Sequence, residues 1–206
     1  MVRIIRLLSV VTLAALLSAA CKPGGTGNAA SSAPAAAPPS VSPSSGAYDP
    51  ARFAPQVRRY AGPAGIDAQL LMAILYNESY KPHDPKLERA WQKLDPESGF
   101  GVANMHRAAF EETRRGRDFA GRDWTELPDD PDLAVEAAAW YLHDLAAQLP
   151  AHWATKYTRD ELLALGYNAG PGSMTAFARG AKPGPVAQSY LDKLHANWDP
   201  AGRAVR

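Results

Sequence analysis

One carboxylate, Glu78, closes an otherwise apolar run that begins at Asp67 (DAQLLMAILYNES). Nearly every residue of the run favours a helix, and Asp67 can accept a hydrogen bond from a free N–H of the first turn. The run therefore predicts a helix from Asp67 to about Asn77. Leu71, Ile74, Leu75 and Glu78 stand at helical spacing, so the acid shares a face with residues that point into a core. Burial disfavours its charged form, and the negative end of the helix dipole acts in the same direction, so its pKa is expected to rise towards neutrality. Such a group can donate a proton at neutral pH. The plain alternative is an exposed glutamate in the last turn of a buried helix, and this stretch alone does not separate the two.

The elements that must hold Glu78 follow from the rest of the chain. Residues 50–61 read as a first helix, stopped by Gly62-Pro63. Residues 81–96 are polar and proline-rich, a loop with a short helix around 86–93. Ser98-Gly99-Phe100-Gly101 marks a tight backbone passage, and Val102-Ala103-Asn104-Met105 follows it. A short helix is expected over 107–115, ended by Gly116. Asp132 is read as the cap of the next helix, in which Ala134, Ala138, Tyr141, Leu142, Leu145 and Leu149 keep helical spacing until Pro150. Thr158 and Glu161 form a capping box for a helix running to Tyr167. Asn168-Ala169-Gly170-Pro171-Gly172 breaks it, and a short helix over 173–179 stops at Gly180. Val186, Tyr190, Leu191, Leu194 and Trp198 lay out the last helix. Strand alternation is absent, so the expected class is all-α.

The N-terminus is of another kind. Arg3 and Arg6 precede an uncharged, mostly apolar run over 7–20 that ends in small residues before Cys21. This has the form of a secretory signal and is too short for a comfortable membrane span. Leu17-Ser18-Ala19-Ala20-Cys21 resembles the bacterial lipobox, in which the cysteine is acylated after cleavage, with Ser18 in place of the usual leucine, valine or isoleucine. Cys21 is the one cysteine of the chain. No internal disulfide can form, and a lipid at Cys21 would anchor the protein to a membrane surface in the cell envelope, outside the cytoplasm. The alternative is plain secretion with a free thiol. Residues 21–47 are alanine, proline, serine and glycine with almost no charge, a tether that cannot bury enough surface to fold. A tether of roughly 25 residues lets a folded domain range some tens of ångströms from its anchor.

From Tyr48 to the end the composition is globular and holds all five tryptophans. That length makes one domain over residues 48–206, with a core of its own. The net charge of +1 gives no case for a nucleic-acid partner. The basic run over 114–122 lacks interleaved aromatics and reads as a solvated face. The five histidines are scattered with no pair at ligand spacing, so no metal is expected.

Three motifs now stand in one order: Asn77-Glu78-Ser79, Gly99-Phe100-Gly101-Val102-Ala103-Asn104, and Gly166-Tyr167-Asn168-Ala169-Gly170-Pro171-Gly172. Together they resemble the catalytic domain of soluble lytic transglycosylases (SLT), of the lysozyme-like superfamily, whose pattern is E-S, then G-L-M-Q, then A-Y-N-A-G. The resemblance covers about 52–198, and its last motif is the most specific. Val102, Ala103 and Asn104 depart from the family's Leu, Met and Gln, and the 81–98 loop is longer than in the simplest members. Asn104 carries the same amide on a stem shorter by one methylene.

The resemblance implies a substrate, the glycan strand of peptidoglycan, cut between N-acetylmuramic acid and N-acetylglucosamine without a cofactor. It implies Glu78 as the catalytic acid and base and a 1,6-anhydro-muramyl product. Ser79, Asn104, Tyr167 and Asn168 are implied to bind or orient substrate, although Asn168 also reads as a left-handed helix cap. Two rivals stand beside this reading. A hydrolytic muramidase would need a second carboxylate, at about 6.5–9.5 Å if inverting, for which Asp84, Asp95 and Glu97 lie in the right part of the sequence. A lipoprotein that binds glycan without cutting it is the other.

Overall fold

Asp67 Oδ1 accepts from Gln69 N at 2.7 Å and starts α2 (Ala68–Glu78), the helix around which the others pack. In this computed structural model, residues 48–80 and 83–206 are described. The expected signal segment at 1–20, the expected lipidation site Cys21 and the expected tether over 21–47 lie outside the described residues. The 48–206 domain opens with a 3-10 turn at Pro50–Phe53 that runs into α1 (Ala54–Ala61). After α2 come α3 (Pro85–Gln92), α4 (Arg107–Thr113), a 3-10 turn at Trp124–Glu126, α5 (Pro131–Gln148), α6 (Arg159–Ala178) and α7 (Pro185–Val205). Among the described residues there is no strand; the one extended pairing is a bridge between Phe100 and Met105. The expected all-α class is what the chain adopts.

The apolar face assigned to α2 is too narrow a description. Leu71, Ile74 and Leu75 are fully buried, but so are Leu70, Met72 and Ala73 on the other sides. A helix apolar all round belongs inside a core, and α1, α6 and α7 pack against this one. Each leucine-sized side chain hidden there contributes about 1.5–3 kcal/mol relative to exposure. Leu142 and Leu145 of α5 and Leu162, Leu163 and Leu165 of α6 extend the same core. Glu78 lies at the end of the most deeply buried helix.

Several helix ends follow the sequence and others do not. Thr158 and Glu161 form the expected capping box of α6, Thr158 N donating to Glu161 at 2.7 Å and Glu161 N to Thr158 Oγ1 at 3.2 Å. Asp84 accepts from the backbone N–H groups of Lys86 and Leu87 and caps α3, the short helix expected in the long loop. For α5 the cap is Asp130, not Asp132: Asp130 Oδ1 accepts from Leu133 N at 3.0 Å, with Pro131 at the first helical position where its missing N–H costs nothing. Asp132 faces α1 instead and takes bonds from Tyr60 and Arg59. The break expected at 168–172 shrinks to one residue, Gly170, whose φ of 81° and ψ of 165° kink α6 before Pro171 resumes it. The φ is the left-handed one that glycine adopts without strain. Asn168 is therefore not a left-handed cap. Val186, one of the residues that lay out α7, is 77% exposed because it sits at the open N-terminal end of that helix.

Arg114, Arg117 and Arg122 of the basic run pair with Glu111, Asp144, and Glu126 with Asp130, respectively. Their charge is met within the domain. No helix among the described residues is long and apolar enough to cross a membrane.

Candidate functional site

A cavity of about 740 Å³ opens where the C-terminal end of α2, the Phe100–Met105 turn, α4, α5, the α6 kink and the start of α7 meet. Glu78, Asn104, Tyr167, Asn168 and Tyr190 all line it. Glu78 is only 6% exposed, and its carboxylate is gripped from two sides. The Tyr190 hydroxyl donates to Oε1 at 2.8 Å, and the Asn104 side-chain amide donates to Oε2 at 3.0 Å. Burial favours the protonated acid, and the two aimed donors favour the carboxylate. A group that gives up and takes back a proton in one cycle needs both.

The turn that presents Asn104 is fixed from every side. Phe100 and Met105 exchange backbone hydrogen bonds at 3.0 and 2.9 Å, and Asn104 N donates to Gly101 O at 2.8 Å. Trp124 stacks on Phe100, ring centroids 4.1 Å apart, and donates its indole N–H to Met105 O at 2.8 Å. Tyr167 donates its hydroxyl to Ala103 O at 2.7 Å. Glu88 Oε2 accepts from Gly101 N at 2.8 Å. The loop closes so tightly that a Cβ on Gly99 would lie 2.2 Å from Asn104 O, which only glycine avoids. Asn104 holds φ 48°, left-handed backbone that asparagine tolerates better than most residues.

A second set of bonds ties this turn to the backbone of Glu78. His83 Nδ1 lies 2.7 Å from Glu88 Oε1, and its Nε2 lies 3.2 Å from the Glu78 carbonyl oxygen. The side chains of His83 and Glu88 are buried. Both ring nitrogens face acceptors, so both bonds form when the ring carries two N–H groups. Glu78 is thus joined to the Gly101–Asn104 turn twice, through its side chain by Asn104 and through its carbonyl by His83 and Glu88. Asn77, beside it, donates to Tyr190 O at 3.1 Å and accepts from Asn197 at 2.9 Å, which locks α2 to α7.

The structure distributes the sequence-derived site residues unevenly. Glu78, Asn104, Tyr167 and Asn168 share the cavity. Ser79 does not line it; its hydroxyl donates to Tyr76 O at 2.7 Å and closes the end of α2. Tyr167 bonds the turn rather than Glu78. Of the three acids weighed as a second carboxylate, Asp84 is a helix cap, and Asp95 and Glu97 line a different cleft. Glu112 and Asp144 line the cavity with Glu78, and Asp144 is paired with Arg117. Sequence reasoning missed Tyr190, read as a core position of the last helix. The signal was available: a tyrosine among leucines at a buried position has a hydroxyl that must find a partner. His83 and Glu88 were missed because their pairing runs through a loop whose path no periodicity predicts.

Residues 56–183 match the family model described as the transglycosylase SLT domain, most of the folded part of the chain. The chain belongs to this family. Its all-α architecture is that of a lysozyme-like SLT domain, and at the family level the activity is lytic-transglycosylase-type cleavage of peptidoglycan, a substrate outside the cytoplasm. No curated protein and no solved structure matches the chain. The SLT match takes in the end of α2, the turn and the α6 kink, while Tyr190 lies just beyond its last residue. Among the described residues, no three His, Cys, Asp or Glu side chains are grouped to hold a metal ion.

Proposed function

We propose that this protein is a lytic transglycosylase that cuts the bond between N-acetylmuramic acid and N-acetylglucosamine, with Glu78 as its one acid and base. The observation that carries the reading is the carboxylate of Glu78, buried at the cavity wall and held by Tyr190 and Asn104. Protonated Glu78 gives its proton to the glycosidic oxygen as the bond to the anomeric carbon breaks. The N-acetylglucosamine leaves with a free hydroxyl. Glu78, now a carboxylate, takes the proton of the muramyl 6-hydroxyl as that oxygen bonds to the anomeric carbon. The 1,6-anhydro ring closes, Glu78 is protonated again and no water is consumed. Acid–base catalysis of this kind supplies roughly 10²–10⁴ in rate.

Asn104 and Tyr190 orient the carboxyl through both steps. Their donors sit where charge develops once the proton has left. Tyr167 acts through Ala103 O by holding the turn, and Asn168, exposed on the groove, contacts the sugar. Ser79 serves the end of α2. The domain over residues 48–206 hangs on a tether over 21–47 from a lipid at Cys21, following a signal peptide at 1–20. This arrangement keeps the enzyme at a membrane surface within reach of the wall.

Digestion of peptidoglycan in ¹⁸O-labelled water tests the product. Anhydro-muropeptides without label are expected. Labelled reducing ends, heavier by one water, would overturn the reading in favour of hydrolysis, and Glu112, on the same cavity, would be the carboxylate to replace first.

A further inference from the structure

Beside the cavity that holds Glu78 lies a second cleft, of about 780 Å³, built on α3 and the loop that follows it. Tyr80, Asn104 and His106 line both spaces, so the two are continuous. Large exposed apolar side chains are rare among the described residues, and their placement is uneven. Tyr80, Leu87, Trp91 and Leu94 line the second cleft, and Val186 stands on the rim of the first. Trp91 is 58% and Leu94 is 79% exposed. A run of exposed apolar surface on a charged domain marks a binding site.

We propose that this cleft is a sugar subsite that takes an N-acetylhexosamine of the same glycan strand, beyond the residues seated at Glu78. The inference rests on the proposed peptidoglycan substrate and adds a specificity element built by the long loop. Three observations select a sugar. Continuity with the cavity suits a polymer that runs from one space into the next. Aromatic rings and leucines offer a face to the C–H side of a pyranose and to an acetyl methyl. Charge argues against the peptide stem. The ionisable groups of the cleft are His106 and three carboxylates, Glu88, Asp95 and Glu97. Glu88 is taken by His83, and His106 is bonded to Glu97 O, so the free rim is acidic. Stem peptides carry carboxylates of their own and are repelled there, whereas the N-acetylglucosamine units of the strand are neutral.

Binding separates this proposal from the catalytic one. Tri- to hexasaccharides of N-acetylglucosamine, amidase-stripped glycan strands, peptide-bearing strands and anionic phospholipid vesicles are each titrated into the full chain and into Trp91→Ala and Leu94→Ala variants, followed by calorimetry. Affinity of the wild type is expected to rise with chain length. Trp91→Ala is expected to lose about ten-fold on the longest ligands and nothing on the shortest, with Leu94→Ala losing less. Length-dependent loss in a protein that cuts no peptidoglycan would sink the catalytic reading and leave the subsite standing. Equal affinity of wild type and Trp91→Ala for every ligand would overturn the subsite. A loss confined to peptide-bearing strands would overturn it in favour of the stem, and a loss confined to lipid vesicles would overturn it in favour of a membrane surface.

Discussion

The side-chain amide of Asn104 reaches Glu78 Oε2 at 3.0 Å even though the family pattern puts the longer glutamine at that position. At φ 48° the turn carries Asn104 towards α2, and Val102 and Ala103, smaller than the residues they replace, are buried beneath it.

Asn104→Ala removes one donor from a buried acid. A hydrogen bond to a charged group is worth about 1.5–3 kcal/mol, which corresponds to a loss of roughly ten- to a hundred-fold in kcat with KM nearly unchanged. Asn104→Gln restores the family residue but tolerates the left-handed backbone less well, and it is expected to stay below wild type. Steady-state kinetics on purified glycan strands decides. Wild-type turnover in Asn104→Ala would remove that residue from the mechanism.

Two tyrosines serve the site differently and should fail differently. Tyr190→Phe deletes the donor to Glu78 Oε1 and is expected to cut kcat by about ten-fold or more. Tyr167→Phe leaves Ala103 O without its partner and should cost about 1–3 kcal/mol of stability with a smaller loss of turnover. Thermal melts beside kinetics separate the two effects. Equal effects from both would mean that Tyr190, too, acts by holding structure.

Loss of the His83–Glu88 link should loosen the turn. Glu88→Ala leaves both His83 Nδ1 and the Gly101 N–H unpaired in a buried place. Each buried group left unpaired costs about 1–3 kcal/mol, and the variant is expected to lose kcat more than KM rises. His83→Ala with Glu88→Ala should cost less than the sum of the single changes, because both break one unit. Additive losses in a double-mutant cycle would show that the two residues act separately.

What could be read from the chain divides along physical lines. Helix caps with local chemistry, such as Thr158 with Glu161 and Asp67, were legible because donor and acceptor lie within one turn of each other. That Asp130 rather than Asp132 caps α5 was not, since both precede an apolar run and Asp132 is drawn away by Tyr60 and Arg59, some seventy residues distant. Glu78 was visible through its apolar neighbours. Its partner Tyr190 was not, because a bond across |i−j| of 112 leaves no spacing to detect. The kink at Gly170 was placed correctly but overdrawn, since one left-handed glycine suffices where five residues were expected to unwind.

Stability should fall at alkaline pH. Burial, first among the causes, raises the pKa values of Tyr141, Tyr167 and Tyr190 above the ordinary 10.0, and that of Tyr60 is pushed up to about 12. Between the unfolded and folded values the native state holds more protons than the unfolded one. Stability from these groups is therefore full below about pH 10 and lost as pH rises through the folded values. The urea midpoint is expected to hold to roughly pH 9.5 and then drop, and Tyr190→Phe should flatten the drop. A midpoint unchanged to about pH 11 would contradict the buried placement of these hydroxyls.

The measurement closest to the central claim is release of soluble muropeptides from peptidoglycan by Glu78→Gln beside wild type, with helical content checked in both. Glutamine keeps the shape and the burial of Glu78 but cannot donate and recover a proton. Anhydro-muropeptides from wild type and a loss of at least about a hundred-fold in the folded variant are predicted. Release of anhydro-muropeptides by folded Glu78→Gln at the wild-type rate would contradict the assignment of the acid and the base to this one carboxylate.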